Sequence, residues 1–262
     1  MYKIFNEVSP LWGICPFDEV KDHLIDCRAK SRLPADAKSI IIFAFPYLLP
    51  EDKYEGLNVS KYAAVQDYHN VVPQKLAEAV NKLQEMFPDE SFAFFSDNSP
   101  IPEVKAATIA GVGVKGTNGL LITEKYGSFV FLGEIVTTLS LECNIKEISH
   151  CINCGKCTKA CPAGAINNGI INKEICLSHI TQKKGELTEE EADMIKMSGC
   201  AWGCDICQDV CPLNKNADTT DIEEFLSSAN SQVDSNTPIE GRAFAWRGEK
   251  VIKRNLEILE SK

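Results

Sequence analysis

The period of the apolar residues changes several times before residue 140. "SIIIFAFPY" (39–47) is an unbroken apolar run, rich in β-branched and aromatic residues and closed by proline, and it predicts a buried strand. "VVPQKLAEAVNKLQEMF" (71–87) spaces its apolar residues for a helix. "SFAFFSD" (91–97) predicts a strand that stops at Asp97, and "PEVKAATIAGVG" (102–113) predicts a helix opened by Pro102 and closed by glycine. "NGLLIT" (118–123) and "SFVFLGEIVTT" (128–138) predict two strands joined by a short turn. This succession predicts an α/β domain around a sheet. Past residue 142 the pattern weakens. The stretch 143–215 leaves little room for regular structure, and 216–262 runs from acidic ("DTTDIEEF") through loop-like ("SSANSQVDSNTP") to a basic helical stretch, "RGEKVIKRNLEIL" (247–259). The chain is thus divided at 1–142, 143–215 and 216–262.

With 262 residues, 44% hydrophobic and 24% charged, the composition is that of a soluble globular protein large enough for a good core. No apolar run approaches about 18 residues, so no membrane span is expected. The opening "MYKIFNEVSPLWG" lacks the basic-then-apolar order of a signal peptide, so a cytoplasmic protein is expected. A formal net charge of -10 weighs against a dedicated nucleic-acid binder and leaves room only for a local basic patch.

Twelve cysteines then need a reason other than disulfides. Cys151, Cys154, Cys157 and Cys161 follow C-x2-C-x2-C-x3-C-P, and Cys204, Cys207 and Cys211 follow C-x2-C-x3-C-P. A loop can wrap three corners of an iron–sulfur cubane only with such tight spacing. The cysteine before proline ligates the other cluster in two-cluster ferredoxins. One cluster is then Cys151, Cys154, Cys157 and Cys211. The other has Cys161, Cys204 and Cys207 and lacks one thiolate, for which Cys176 and Cys200 are candidates. A pair of zinc sites is the competing reading, but zinc usually takes separated C-x2-C pairs. Cys15, Cys27 and Cys143 are expected to be ordinary buried thiols. Two 4Fe–4S clusters make a wire for single electrons, and the domain before it is expected to be the terminus.

Several stretches, in order, resemble one family: "KYAAVQDYH" (61–69), "FFSDNSPIPE" (94–103), "AGVGVKGTNGLLI" (110–122), "YGSFVFLGEIVTT" (126–138), the four-cysteine run, "CLSHIT" (176–181) and "GCDICQDVCPLNK" (203–215). The chain is similar over roughly residues 25–215 to epoxyqueuosine reductases, iron–sulfur and cobalamin enzymes of queuosine biosynthesis in transfer RNA, and more distantly to reductive dehalogenases. The resemblance implies an α+β fold: a corrinoid-binding domain of the nitroreductase or cobalamin-processing kind, followed by a two-cluster bacterial ferredoxin-like domain. It implies Cys176 as the fourth ligand of the second cluster. It implies cobalamin bound base-off between the domains, reduced through the clusters by an external flavodoxin- or ferredoxin-type donor, with a carboxylic acid delivering a proton. The matching acid is Asp97, for which a position at the end of an apolar strand suggests a raised pKa. A turn aspartate before "NSP" is the plain alternative.

By the same resemblance Asn118, Ser178, Tyr68 and Gly116 are expected near the cofactor, Gly116 because glycine lets backbone approach a flat ring. Thr117 stands where the family has lysine, and Val104 where it usually has arginine after the glutamate matched by Glu103. His69, of the "DYH", is expected to be structural. Family members commonly continue into a helical-repeat domain that helps hold transfer RNA, and "IEGRAFAWRGEKVIKRNLEIL" (239–259) looks like its entry. Contact with RNA would then fall to a smaller surface that includes Arg242, Arg247, Lys250, Lys253 and Arg254, or these residues are a solvated helix face. Two further functions stay open: an electron-transfer protein without substrate chemistry, and a corrinoid-dependent reductase of an organohalide or another small molecule.

Overall fold

A computed structural model of the protein describes residues 1–143, 150–167 and 169–261. Helix α1 (Tyr2–Val8) leads into strand β1 (Leu11–Pro16), then β2 (Ser39–Pro46). Helix α2 (Tyr68–Met86), β3 (Phe92–Phe95), α3 (Glu103–Ile109), the short β4 (Val114–Lys115) and β5 (Leu121–Ile122), and β6 (Val130–Thr137) follow. The sheet has the order β1-β2-β6-β3, with every neighbouring pair antiparallel. The domain is therefore α+β.

Every residue of β2 is buried, which explains its unbroken apolar run. Ile41, Phe43 and Phe45 face α1 and α2 in one core with Phe5, Val72, Leu76 and Leu83. Ile40, Ile42 and Ala44 face α3 in a second core with Ala106, Ala107 and Ala110. A strand covered on both faces keeps the two-residue alternation of side chains but loses its polar phase.

Two expectations change. The segments 118–123 and 128–138 do not form a hairpin: β5 pairs with β4, whereas β6 pairs with β2 and β3. Helix α2 also starts earlier than its apolar spacing suggests, at Tyr68, because Asp67 caps it by accepting from the His69 backbone N–H at 3.0 Å.

The cysteine-rich part holds more regular structure than expected. It carries α4 (Lys156–Ala160), the two-stranded β7 (Ile166–Asn167) and β8 (Ile170–Ile171), α5 (Leu177–Ile180), α6 (Glu189–Ser198) and α7 (Ile206–Asp209). Helix α6 is fixed by a capping box between Thr188 and Glu191 and ends at Gly199 in the left-handed conformation. Residues 216–262 form α8 (Glu223–Ser227) and α9 (Glu249–Glu260). Val251, Ile252 and Leu256 of α9 pack with Ala201 and Trp202 of the cysteine part and with Val59, Ala63 and Ala64 of the first domain. The last segment thus ties the other two together. Among the described residues no helix is long and apolar enough to cross a membrane.

Candidate active site between the sheet domain and the cysteine array

The backbone holds the two parts in a fixed register. The Ser60 N–H donates to Trp202 O at 2.7 Å and the Ala201 N–H to Asn58 O at 2.7 Å. Asp205 Oδ2 accepts from the Lys61 N–H at 2.6 Å. Farther along, Asn214 Oδ1 accepts from the Ser128 N–H at 2.8 Å, while the Ser128 hydroxyl donates to Gln208 Oε1 at 2.9 Å. The two bonds of Ser128 are buried, where an unmade partner is costly. Gly203 sits at the junction with φ 79°, and a Cβ there would lie 2.0 Å from Ser60 Oγ.

Two spaces open along this seam. The smaller, about 20 Å³, is ringed by Cys151, Cys154, Cys157 and Cys211. The larger, about 750 Å³, has Cys161, Cys176, Cys204 and Cys207 on its wall. These are the two quartets expected above, with Cys176 and not Cys200 in the second. Cys200 instead directs its thiol to Trp202 O at 3.2 Å. Among the described residues no three His, Cys, Asp or Glu side chains converge on a single ion. A cubane needs instead four thiolates spread around a void, one per corner.

Asn118 lines both spaces and is 4% exposed. Thr117 Oγ1 lies 3.5 Å from Cys151 Sγ and donates to Asn153 Oδ1 at 3.1 Å. The residue that departs from the resembled pattern thus touches the first quartet. Gly116 is not on the wall of the larger cavity; a Cβ there would meet Asn118 Oδ1 at 2.5 Å, so its small size serves the Asn118 turn. Tyr68 and Ser178 do line the cavity. Tyr68 stacks on Phe131, with centroids 4.3 Å apart and planes 11° apart. Together with Tyr47 and Tyr62 these rings form an aromatic wall.

Asp97 lies on the same cavity, beyond the end of β3, at φ 56°, followed by Asn98 at φ 42°. Left-handed backbone at two consecutive non-glycine residues is uncommon and is held by its surroundings. Asp97 Oδ2 is 3.1 Å from His69 Nε2, and His69 Nδ1 is 2.7 Å from Asp67 Oδ1. The expectation of a raised Asp97 pKa is overturned. Its carboxyl is 57% exposed, and the His69 hydrogen bond holds it below the usual carboxylate range. The proton moves to the imidazole: Asp67, then Asp97, raise the His69 pKa to about 9. His69 was expected to be merely structural, and nothing near it in sequence revealed Asp97 as its partner.

Behind the Asp97 loop is a second acid pair. Glu134 on β6 is fully buried, and its carboxyl faces that of Glu103 at the start of α3 closely enough for each to shift the other's proton affinity. The Ser99 hydroxyl, in the loop after Asp97, donates to Glu134. Burial pushes Glu103 up to about 7 and Glu134 well above the carboxylate range. Glu103 Oε1 and Glu134 Oε2 are buried without a hydrogen-bond partner, and a proton shared between the acids would satisfy both.

The basic run near the C-terminus is only partly available. Arg242 is spent on Ser228 O at 2.9 Å and Ala64 O at 3.4 Å, Arg254 on Lys183 O at 2.9 Å and Gly185 O at 2.5 Å, and Lys253 on Glu249 at 2.6 Å. Arg247 and Lys250 have no carboxylate partner among the described residues.

Comparison with known proteins adds the following. Residues 150–214 match a family described as a 4Fe-4S double cluster binding domain, so the cysteine array is a two-cluster module. Residues 28–98 match the family described as epoxyqueuosine reductase QueG, DUF1730. The chain is 37% identical over 247 residues to an epoxyqueuosine reductase of Listeria monocytogenes, covering 86% of this chain and 64% of that protein. It is 33% identical over 252 residues to that of Lactococcus garvieae, covering 88% and 71%. It therefore spans about two thirds of the length of these relatives. An epoxyqueuosine reductase solved with a tRNA-Tyr epoxyqueuosine-modified stem loop superposes with a TM-score of 0.78 at 26% identity, over 98% of this chain and 80% of that one. A catabolic reductive dehalogenase shares the fold, with a TM-score of 0.52 at 17% identity over 96% of this chain and 34% of that one.

Proposed function

The chain belongs to the epoxyqueuosine reductase family, and from that premise we propose that it is an iron–sulfur and corrinoid-dependent reductase that converts epoxyqueuosine in a transfer RNA to queuosine. The observation that carries this reading is that one cavity of about 750 Å³ has the four thiols of the second quartet on one side and the His69–Asp97 pair on another. A source of electrons and a source of protons face the same space.

Cys151, Cys154, Cys157 and Cys211 hold the first 4Fe–4S cluster, and Cys161, Cys176, Cys204 and Cys207 the second. Cys154 is exposed, so a flavodoxin- or ferredoxin-type donor delivers electrons at the first cluster. They leave at the second, which borders the cavity. The largely aromatic and apolar walls suit the face of a corrin, and the first domain is then of the cobalamin-processing, nitroreductase-like kind. Bound there, cobalamin supplies a strongly reducing metal centre. Both ring nitrogens of His69 are engaged by carboxylates, which supports proton holding rather than metal ligation.

Conversion of an epoxide to an alkene breaks two C–O bonds, forms one C=C bond and releases water, consuming two electrons and two protons. The His69–Asp97 pair is positioned to pass a proton to the departing oxygen. His69, protonated at neutral pH, holds it, and the Asp97 carboxylate 3.1 Å away orients the imidazolium and relays the proton as the oxygen takes it. The second proton comes from solvent. The Glu103–Glu134 pair holds the Asp97 loop from behind.

The test is anaerobic turnover of epoxyqueuosine-containing transfer RNA by protein loaded with clusters and cobalamin, followed by nucleoside mass spectrometry. Queuosine formation is expected. Fully loaded protein that leaves the nucleoside untouched overturns the reading, and turnover of a small organohalide instead favours the dehalogenase alternative.

A further inference from the structure

Of the three tryptophans, Trp202 is fully buried against Phe244, and Trp12 is stacked on Tyr2 and donates to Asn6 at 2.7 Å. Trp246 differs. It is 57% exposed, and it lies on the lining of the cavity that holds Asp97. An exposed indole on the lining of that cavity offers a flat face on which a planar group can stack.

The ring is also prepared on one side. The Arg247 guanidinium carbon lies 3.8 Å from its centroid, close enough for a strong cation–π contact. Arg247 has no carboxylate partner among the described residues, and its Nε is buried without a hydrogen-bond partner. With that cation over one face, a partner would use the opposite face and the edge of the indole. The support is rigid: Ala243 and Phe244 are buried, and Arg242 is bonded to two carbonyls of neighbouring segments. A flat ring, a free planar cation beside it and a fixed base suit a nucleotide, the base on the indole and the phosphate at the guanidinium.

We propose that Trp246 and Arg247 form a seat for one unpaired nucleotide next to the modified nucleoside, with the base stacked on Trp246 and its phosphate at Arg247. The proposal rests on the RNA-substrate reading above. It also accounts for RNA contact by a chain of net charge -10: recognition relies on one stacked base and one cation rather than on a broad basic field.

The test is filter binding of the cluster- and corrin-loaded protein to a transfer-RNA anticodon stem–loop. Parallel probes carry an abasic site at each loop position in turn, and a duplex of the same length is the control. Trp246→Ala is expected to weaken stem–loop binding about ten-fold, ~1.4 kcal/mol, with Trp246→Phe recovering most of it. An abasic site at one position flanking the modified nucleoside should cost the wild type the same factor and cost Trp246→Ala nothing. Arg247→Gln should lower the salt dependence of binding by about one phosphate contact. Cluster absorbance reports that the variants fold. The seat is refuted when Trp246→Ala binds like wild type, when every abasic penalty survives in that variant, or when the wild type prefers no stem–loop over the duplex. Stem–loop binding with this pattern but without queuosine formation supports the seat and refutes the proposed turnover.

Discussion

His69 Nε2 stands 3.1 Å from Asp97 Oδ2, joining the start of α2 to the loop after β3 across 28 residues of sequence. The bond places a protonated imidazole against a carboxylate at the cavity wall. It makes the pair, rather than Asp97 alone, the unit that holds the proton.

Asp97→Asn is expected to lower turnover by about 100-fold or more, the usual scale for a lost member of a proton-transfer pair, with clusters and corrin bound as in wild type. Single-turnover assays with absorbance readout of both cofactors check this. Unchanged turnover would remove the carboxyl from proton delivery.

His69 should remain protonated through neutral pH and lose its proton near pH 9. The stability it lends the native state is complete below its unfolded pKa of about 6.5 and is lost as pH rises through 9. Turnover should fall over the same alkaline range. In His69→Ala, Asp97 loses the main influence that lowers its pKa, so the alkaline limb should change shape. Ring-proton titration by NMR is the direct measurement, and a His69 midpoint near 6.5 contradicts the pairing.

Glu103 titrates oppositely to a salt-bridged acid. Its native pKa is raised to about 7, so the native state holds the proton more tightly than the unfolded chain does. Stability should therefore decline from about pH 4.5 through 7, and the more strongly raised Glu134 extends the decline above that. Glu103→Gln should flatten that slope, as read from anaerobic denaturant midpoints across pH; a slope that survives the substitution assigns it to other groups.

Cys176→Ser should reduce iron from about eight to about four per chain, whereas Cys200→Ser should leave it unchanged. Iron and sulfide analysis after anaerobic reconstitution decides. Equal loss in both variants would reopen the fourth ligand.

Gly203→Ala should destabilise the junction of the two parts by about 2–4 kcal/mol, because the new methyl combines a left-handed backbone with overlap on Ser60. Ser60→Gly in the same chain should recover part of the loss. Denaturation midpoints of both variants measure it.

The two-cluster module was legible because cluster cysteines are spaced closely along the chain. β2 and α2 were legible because burial prints its period locally. The pairing of β6 was not: "NGLLIT" and "SFVFLGEIVTT" are close in sequence, yet β6 satisfies its edges with β2 and β3. Nor was the charge state of Asp97, since the deciding neighbour comes from a different element. The basic tail failed for a related reason. Composition counts Arg242 and Arg254 as surface charge, whereas the fold uses them to satisfy carbonyls.

Cys161, Cys176, Cys204 and Cys207 form a wall of the large cavity, so on the proposed ligand set that wall would be finished only once the second cluster is built into it. Maturation on that proposed set would then have an order: iron and sulfide first, corrin afterwards. The corrin in turn would screen the second cluster from oxygen, so protein isolated without it should lose its iron–sulfur absorbance in air from the cavity side first.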